Sequence, residues 1–364
     1  MANKKIIIAG GGTGGHIFPA IAIANALKKL DPSTEILFVG AKGKMEMEKI
    51  PQAGYNIKGL DIAGFNRSSL IKNISLPFKL VKSFLQVRKI VNEFKPDAAI
   101  GVGGYSSFPV LKYAQVRNIP TFIHESNSFA GKSNVMLGKK ATKVFVATEG
   151  MDKFFPKENI VVTGNPVRSS IVNSKLTRHE GIQFFGLDVA KSVVLVTGGS
   201  LGAKGINEAI DAGLDNFVAR DVQVIWQTGK PYADRAAEAA KGKPGIWTGA
   251  FITEMEKAYA AADVVVSRAG AMAIAELCVV KKPVIFVPYP FAAEDHQTAN
   301  AAKLADKQAG IMIKDKDAKE KLVQIAIALA VTPETQELLA GNISKLSITD
   351  ADERIANEIL KAIN

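Results

Sequence analysis

Short apolar runs recur along the chain, and most are followed by a stretch with helical spacing. In the first half these runs are KIIIA, EILFVG from Glu35 to Gly40, PDAAIGVGG, PTFIHE and TKVFVAT, with a helix over Pro19 to Leu30. In the second half they are SVVLVTGG, VQVIWQTG, GIWTGAF, ADVVVSRAG, PVIFVPYP and AGIMI, with a helix over Ile206 to Phe217. Continuous apolar character marks strands buried on both faces, and the helices between them mark crossovers. Each half therefore predicts an α/β fold on a parallel sheet. At 364 residues the chain exceeds one typical core. Gly164, Asn165 and Pro166 close the first series, which sets an N-terminal domain over 1–164 and a C-terminal domain over 165–345, with the hinge near 161–172. Beyond it, Ile355, Ile359 and Ile363 share one helical face with Asp350 as its cap, so a last helix within 346–364 can pack on either domain.

Two glycine-rich turns sit at matching places in the halves: GGGTGG from Gly10 to Gly15, and GGSLGA from Gly198 to Ala203. Glycine lets backbone approach a bulky anion, and the helix that follows offers unpaired N–H groups to hold it. The pair predicts two nucleotide-binding domains with a sugar nucleotide between them. Gly10, Gly12 and Gly15 also satisfy the dinucleotide fingerprint, but the second strand ends in Val39-Gly40-Ala41, without the acidic residue that grips a ribose. That argues against a nicotinamide cofactor, and neither turn fits a P-loop.

Composition narrows the picture. With 47% hydrophobic and 22% charged residues the chain reads as folded, and no apolar run approaches the ~18 residues of a spanning helix. The N-terminal apolar stretch stops at Gly10, too short for a signal peptide, and the single Cys278 lies on an apolar helix face, so the chain is expected in the cytoplasm. A net charge of +11 favours anionic partners. Four scattered histidines and one cysteine make a poor metal set, and the D-x-D pairs at Asp315 and Asp350 read as helix starts.

Candidate chemistry clusters after strands. His16 follows the first glycine turn, where a helix N-terminus would keep it neutral and basic; the plain alternative is a histidine that packs or caps. His124, Glu125 and Asn127 follow PTFI at the strand edge where open parallel sheets bind ligands, or else form a capped loop. Arg168 in GNPVR can reach a phosphate. Arg268 and Glu276 in RAGAMAIAE suit a nucleoside diphosphate, the cation on phosphate and the carboxylate on ribose hydroxyls.

Between Asp61 and Glu93 acidic residues are absent while Arg67, Lys72, Lys79, Lys82, Arg88 and Lys89 all occur. Leu80, Phe84, Val87, Val91 and Phe94 mark a core-facing helical stripe. Leu70, Ile71, Ile74, Leu76 and Phe78 lie before it, out of register, and apolar residues ringed by cations can dip into an anionic bilayer. The rival is a loop packed on its own domain. No aromatic ladder for bases is present, so nucleic acid is not expected as a partner.

Eight segments, GGTGGHIFPAIAIA, GVGGYSSFP, HESNSFAG, GNPVR, GGSLGAKGIN, FITEM, SRAGAMAIAE and DHQTANA, together resemble the MurG family of bacterial cell-wall glycosyltransferases, family GT28, along nearly the whole chain. The resemblance implies a GT-B architecture, two Rossmann-like domains with parallel sheets facing across a deep cleft and a C-terminal helix that completes the first. It also implies inverting β-1,4 transfer of N-acetylglucosamine from UDP-N-acetylglucosamine to lipid I without a cofactor or metal, and closure of the domains about the hinge. The expected setting is peripheral, on the cytoplasmic face of the membrane, near other proteins of wall synthesis. Carried over residue by residue, the donor contacts are Thr13, Gly14, Gly15, Asn127, Arg168 and Ser200. Phe251 and Ile252 stand at the base, Ala271, Met272, Ala273, Ile274, Ala275 and Glu276 at diphosphate and ribose, and Gln297 at the sugar. His16 is the implied base, with Glu125 or His124 next, and Ser200 and Arg268 steady the departing UDP. Leu201 and His296 depart from the family's frequent glutamines. The membrane contacts are Ile71, Lys72, Ile74, Leu76, Phe78, Lys79 and Lys82. Competing readings are a UDP-sugar epimerase, an oxidoreductase and a sugar-binding protein without turnover.

Overall fold

The computed structural model describes residues 3–62, 76–292 and 295–363. The chain divides into two compact units, Met1–Arg168 with Asp350–Asn364, and Ser169–Thr349. The first unit runs β1 (Lys5–Ala9), α1 (Gly14–Leu30), β2 (Glu35–Ala41), α2 (Glu46–Gln52), β3 (Asn56–Leu60), α3 (Leu76–Phe94), β4 (Ala98–Gly101), α4 (Ser107–Val116), β5 (Thr121–Glu125), α5 (Lys132–Gly138), β6 (Lys143–Val146) and β7 (Ile160–Val162). The second runs α6 (Ser169–Val172), α7 (Arg178–Phe184), β8 (Val193–Thr197), α8 (Lys204–Ala219), β9 (Gln223–Gln227), α9 (Ala233–Ala240), β10 (Ile246–Gly249), α10 (Met255–Ala261), β11 (Val264–Ser267), α11 (Ala271–Val280), β12 (Val284–Phe286), α12 (His296–Asp306), β13 (Ile311–Met312), α13 (Ala318–Ala330) and α14 (Pro333–Ser344). The last helix, α15 (Ala351–Ala362), returns to the first unit.

Among the described residues the strands form a seven-stranded parallel sheet, β3-β2-β1-β4-β5-β6-β7, and a six-stranded one, β10-β9-β8-β11-β12-β13. The central strand shows why its sequence is apolar throughout. Ile6 and Ile8 enter the core on one face, Ile7 and Ala9 the core on the other, and all four are fully buried. Edge strand β3 lacks that signature: NIKGL alternates exposed and half-buried positions up to the buried Leu60, and no apolar run announces it. On α15, Ile355 and Ile359 are buried in the same core as Ile23 and Leu27 of α1.

Three local expectations are corrected. Helix α1 begins at Gly14 rather than Pro19, which lies inside it; the missing Pro19 N–H leaves the Gly15 carbonyl without its usual partner in the early turns. Asp350 stands at the N-cap of α15 but makes no side-chain cap bond, because its carboxylate accepts from Arg354 Nε at 2.9 Å. Helix α3 starts at Leu76, so Phe78 is helical, and Leu80 is exposed; the buried stripe begins at Ser83 and continues through Val87 and Val91.

Each sheet reverses its strand order once, between β1 and β4 in the first unit and between β8 and β11 in the second. Beside such a reversal, helices leave the sheet on opposite faces and open a crevice at the carboxyl ends of the strands. All four loops at the two reversals carry motifs read from the sequence: 10–13 after β1, 102–106 after β4, 198–203 after β8 and 268–270 after β11.

Candidate active site

In the first unit the two loops are laced together. Gly11 N donates to Gly103 O at 3.3 Å, and Val102 N to Ala9 O at 2.9 Å. Gly104, at φ +85°, passes so close to the Gly11 backbone that a side chain there would overlap it. His16, third residue of α1, lays its ring against Gly103, where a Cβ would come within 2.7 Å of Nε2. Its Nδ1–H donates to the Gly11 carbonyl at 3.0 Å. Since a carbonyl can only accept, Nδ1 carries the proton and Nε2 holds the free lone pair in the neutral ring. The His16 pKa lies below its ordinary value of 6.5: burial lowers it, against the Gly11 bond and the charges of Glu125 and Glu46. The imidazole is neutral as expected, with burial rather than a helix dipole as the main cause.

The other two acid-base candidates have different settings. Glu125 is buried and accepts from Asn127 N at 3.0 Å, Asn127 Nδ2 at 3.3 Å, Gly131 N at 3.0 Å and Asn134 Nδ2 at 2.8 Å. Four donors hold it as the organiser of the 126–134 loop, Asn127 included. His124 is only 2% exposed, its Nε2 lacks a hydrogen-bond partner, and burial followed by the nearby His16 pushes its pKa down to about 4. Arg168 stacks over the Phe18 ring at 4.5 Å, one turn along α1 from Thr13 to Gly15.

In the second unit the loop 198–203 closes with Gly202 N donating to Gly199 O at 3.1 Å, with Ser200 and the exposed Leu201 at its tip. Buried Gln227 ties this loop to the segment at Phe251 and Ile252. Its Nε2 donates to Thr197 Oγ1 and to Gly199 O, both at 3.1 Å, and its Oε1 accepts from Ile252 N at 2.8 Å. Sequence reasoning missed Gln227; a polar residue ending an otherwise apolar strand was the available signal. Phe251 is half-buried beside it.

Helix α11 opens at Ala271 directly beyond the β11 loop, with Met272, Ala273, Ile274 and Ala275 half-buried along its start. Glu276 is buried and accepts from Tyr259 Oη at 3.1 Å. Arg268 Nη1 turns inward, bonded to the Val287 and Pro288 carbonyls at 3.0 and 3.1 Å and to Asp315 at 2.5 Å. That nitrogen braces the exit of β12. Gln297 Oε1 accepts from Tyr289 N at 3.0 Å, and Asn300 Nδ2 donates to Ala269 O at 3.2 Å, bringing α12 to the same edge. Cys278 is buried and its thiol is pushed up to about 12 by burial, which suits a packing role.

Ile71, Lys72 and Ile74, with Arg67 and Leu70, lie outside the described residues, as does the Leu76 side chain. On α3, Phe78, Val81 and Leu85 are 77%, 62% and 62% exposed at helical spacing, beside exposed Lys79. Lys82 is paired with Asp61 at 3.0 Å. No helix among the described residues is long and apolar enough to cross a membrane.

Two doubly wound units, each with a glycine turn and a helix start at its strand-order reversal, define the class as the two-Rossmann-domain sugar-nucleotide enzymes. The chain belongs to glycosyltransferase family 28, whose N-terminal domain matches residues 6–146 and whose C-terminal domain matches residues 193–355. It is 54% identical, over 99% of its length and 96% of the relative's, to the UDP-N-acetylglucosamine--N-acetylmuramyl-(pentapeptide) pyrophosphoryl-undecaprenol N-acetylglucosamine transferase of Phocaeicola vulgatus. Among solved structures, MurG of Acinetobacter baumannii is 28% identical with a TM-score of 0.74, covering 98% of this chain and 99% of that one. A UDP-GlcNAc 2-epimerase from Neisseria meningitidis, solved with UDP-GlcNAc, superposes with a TM-score of 0.70 over 98% of this chain and 100% of its own, but at 14% identity it shares the fold alone.

Proposed function

We propose that this chain transfers N-acetylglucosamine from UDP-N-acetylglucosamine to the C4 hydroxyl of the muramyl sugar in undecaprenyl-pyrophosphoryl-MurNAc-pentapeptide, lipid I, giving lipid II with inversion at the anomeric carbon. The observation that carries the mechanism is the fixed tautomer of His16, which leaves Nε2 as a base at the β1/β4 reversal. In the reacting complex His16 Nε2 takes the proton of the acceptor hydroxyl as its oxygen bonds to C1 of the donor sugar. The C1–O bond to the β-phosphate breaks and its electron pair leaves on UDP. The proton passes from the imidazolium to water afterwards.

The second unit would hold the donor. The 198–203 loop with Ser200 and the first turn of α11 meet the diphosphate, and Glu276 accepts from the ribose hydroxyls. With the Ile252 N–H held by Gln227, the uracil would be read through the carbonyl side of that segment. Gln297 touches the sugar. Thr13, Gly14, Gly15, Asn127 and Arg168 complete the set from the first unit, where the glycine turns also suit the acceptor's pyrophosphate. Preorganised amides and dipoles of this kind stabilise a departing anion without a cation.

Incubation with labelled UDP-N-acetylglucosamine and a lipid I analogue, with and without EDTA, tests the reading. Label should move into the lipid fraction in both arms. Free isomerised UDP-sugar would favour the epimerase reading instead, and transfer abolished by EDTA would overturn the cation-free mechanism.

The exposed stripe of α3 supports a peripheral seat on an anionic membrane surface, which we place at the cytoplasmic face. Substituting Phe78, Val81 and Leu85 with serine should weaken cosedimentation with vesicles containing anionic phospholipid by about 10-fold or more, since each buried large apolar side chain contributes about 1.5–3 kcal/mol. Binding to neutral vesicles should be weaker from the outset. Equal binding by wild type and variant would remove the stripe from consideration.

A further inference from the structure

Glu46, which no motif singled out, is a carboxylate only 1% exposed. It opens α2 and turns back over the first glycine loop, filling space that Gly11 and Gly40 leave by having no side chains; a methyl on Gly11 would overlap its carboxylate. Oε1 accepts from Ala41 N at 2.9 Å and Oε2 from Gly12 N at 2.7 Å. The peptide unit whose N–H belongs to Gly12 has the Gly11 carbonyl at its other end. That carbonyl accepts the Nδ1–H of His16 at 3.0 Å. Carboxylate, peptide and imidazole thus form one hydrogen-bonded chain, and the Gly12 amide, which the glycine pattern offers to a phosphate, is taken by the protein itself.

We propose that Glu46 is a positioning residue for His16, acting through the Gly11–Gly12 peptide to hold the imidazole in its Nδ1–H tautomer and to strengthen Nε2 as a base. A charge-assisted bond on the N–H end of a peptide polarises it, and the carbonyl at the other end becomes a better acceptor. This is the arrangement of a carboxylate that orients a catalytic histidine, with a peptide unit inserted between the two groups. Electrostatics point the same way: the Glu46 charge favours protonated His16. The other titratable groups facing that ring are Glu125, which acts in the same sense, and His124, which is coupled to it. The same four-donor set that fixes Glu125 keeps its contribution constant when Glu46 is changed.

The inference rests on His16 as the base, and its test separates the two ideas. In Glu46→Gln the amide cannot accept from both Gly12 N and Ala41 N, and the charge is gone. kcat should fall by about 10- to 100-fold, a part of the 10²- to 10⁴-fold a general base supplies. The acid limb of the pH profile should move to lower pH, as should the His16 titration followed by NMR of the imidazole signals, assigned with His16→Ala among the chain's 4 histidines. Glu46→Asp, which keeps the charge, should restore most of the limb's position. A fall in kcat with limb and titration unmoved would mean that Glu46 only fastens the loop, and the proposal would fail. Should Glu46→Gln not fold, ¹⁵N shifts of the wild-type ring decide: a neutral His16 protonated on Nε2 overturns the chain. If His16→Ala keeps its turnover while Glu46→Gln still shifts the His16 titration, the base assignment is wrong and the coupling stands.

Discussion

Replacing His16 with alanine is expected to lower kcat by about 10²- to 10⁴-fold, the range a general base supplies, with donor affinity changed little. The asymmetry follows from where the groups lie. The imidazole sits on the first unit, at the start of α1, while the diphosphate, ribose and base contacts proposed for the donor are mostly on the second. Steady-state rates at saturating lipid I analogue, with calorimetric titration of UDP-N-acetylglucosamine, measure the two quantities separately. The wild-type acid limb should fall below pH 6.5, because burial holds the His16 pKa under that value and the reaction needs the neutral ring. Near-normal turnover in the alanine variant would transfer the role elsewhere. Glu125, with four donors on its carboxylate, and His124, buried behind the loop with its pKa near 4, are the less suited successors.

What the sequence conveyed and what it withheld follow from how far each feature depends on neighbours. Strands such as KIIIA and SVVLVT are buried on both faces, so their composition alone declares them, and the glycine turns that follow fall where the strand order reverses. Edge strand β3 is half solvated and went unread for the complementary reason. Helix boundaries failed where a local rule met a tertiary demand: Pro19 reads as a first-turn residue, yet the five residues ahead of it, Gly14 to Phe18, are already helical and bring His16 to Gly103. Side-chain direction was the least legible. Arg268 reads as a phosphate ligand, and nothing in its own segment tells that Asp315, distant in sequence, draws one of its nitrogens inward. The acidic residue sought at the end of the second strand comes five residues beyond it, as Glu46, and faces the loop rather than a ribose. No periodicity encodes such a return; only the pairing of β1 with β2 brings the two segments together.

The 198–203 loop, proposed above to meet the donor's diphosphate, offers a comparison that isolates close packing from backbone strain. Gly199 and Gly202 both have left-handed backbone, at φ +85° and +77°, so alanine is strained at either place. Around Gly199 a Cβ would meet nothing within 4 Å, whereas at Gly202 it would overlap the Thr228 carbonyl oxygen, with Gly229 Cα 3.1 Å away. That neighbour cannot yield, since Gly229 is itself at φ +75° and pressed against the Leu201 and Gly202 backbone. Gly199→Ala should therefore cost only the conformational term, about 1–2 kcal/mol. Gly202→Ala should cost about 3 kcal/mol or more, because the loop must also move off the strand end. In a unit of this size the difference corresponds to roughly 2–8 °C in Tm, readable by calorimetry. Donor binding should separate the two further. The 198–203 turn is held at one end by the Gln227 bond to Gly199 O and at the other by the Gly202–Thr228 approach, so displacing the latter would tilt the amides away from the proposed diphosphate position. The Kd for UDP-N-acetylglucosamine should rise about 10-fold or more in Gly202→Ala, a loss of about 1.4 kcal/mol, and by much less in Gly199→Ala. Equal losses in both variants would show that strain alone governs the loop, and would remove the close approach at Thr228 as the feature that shapes it.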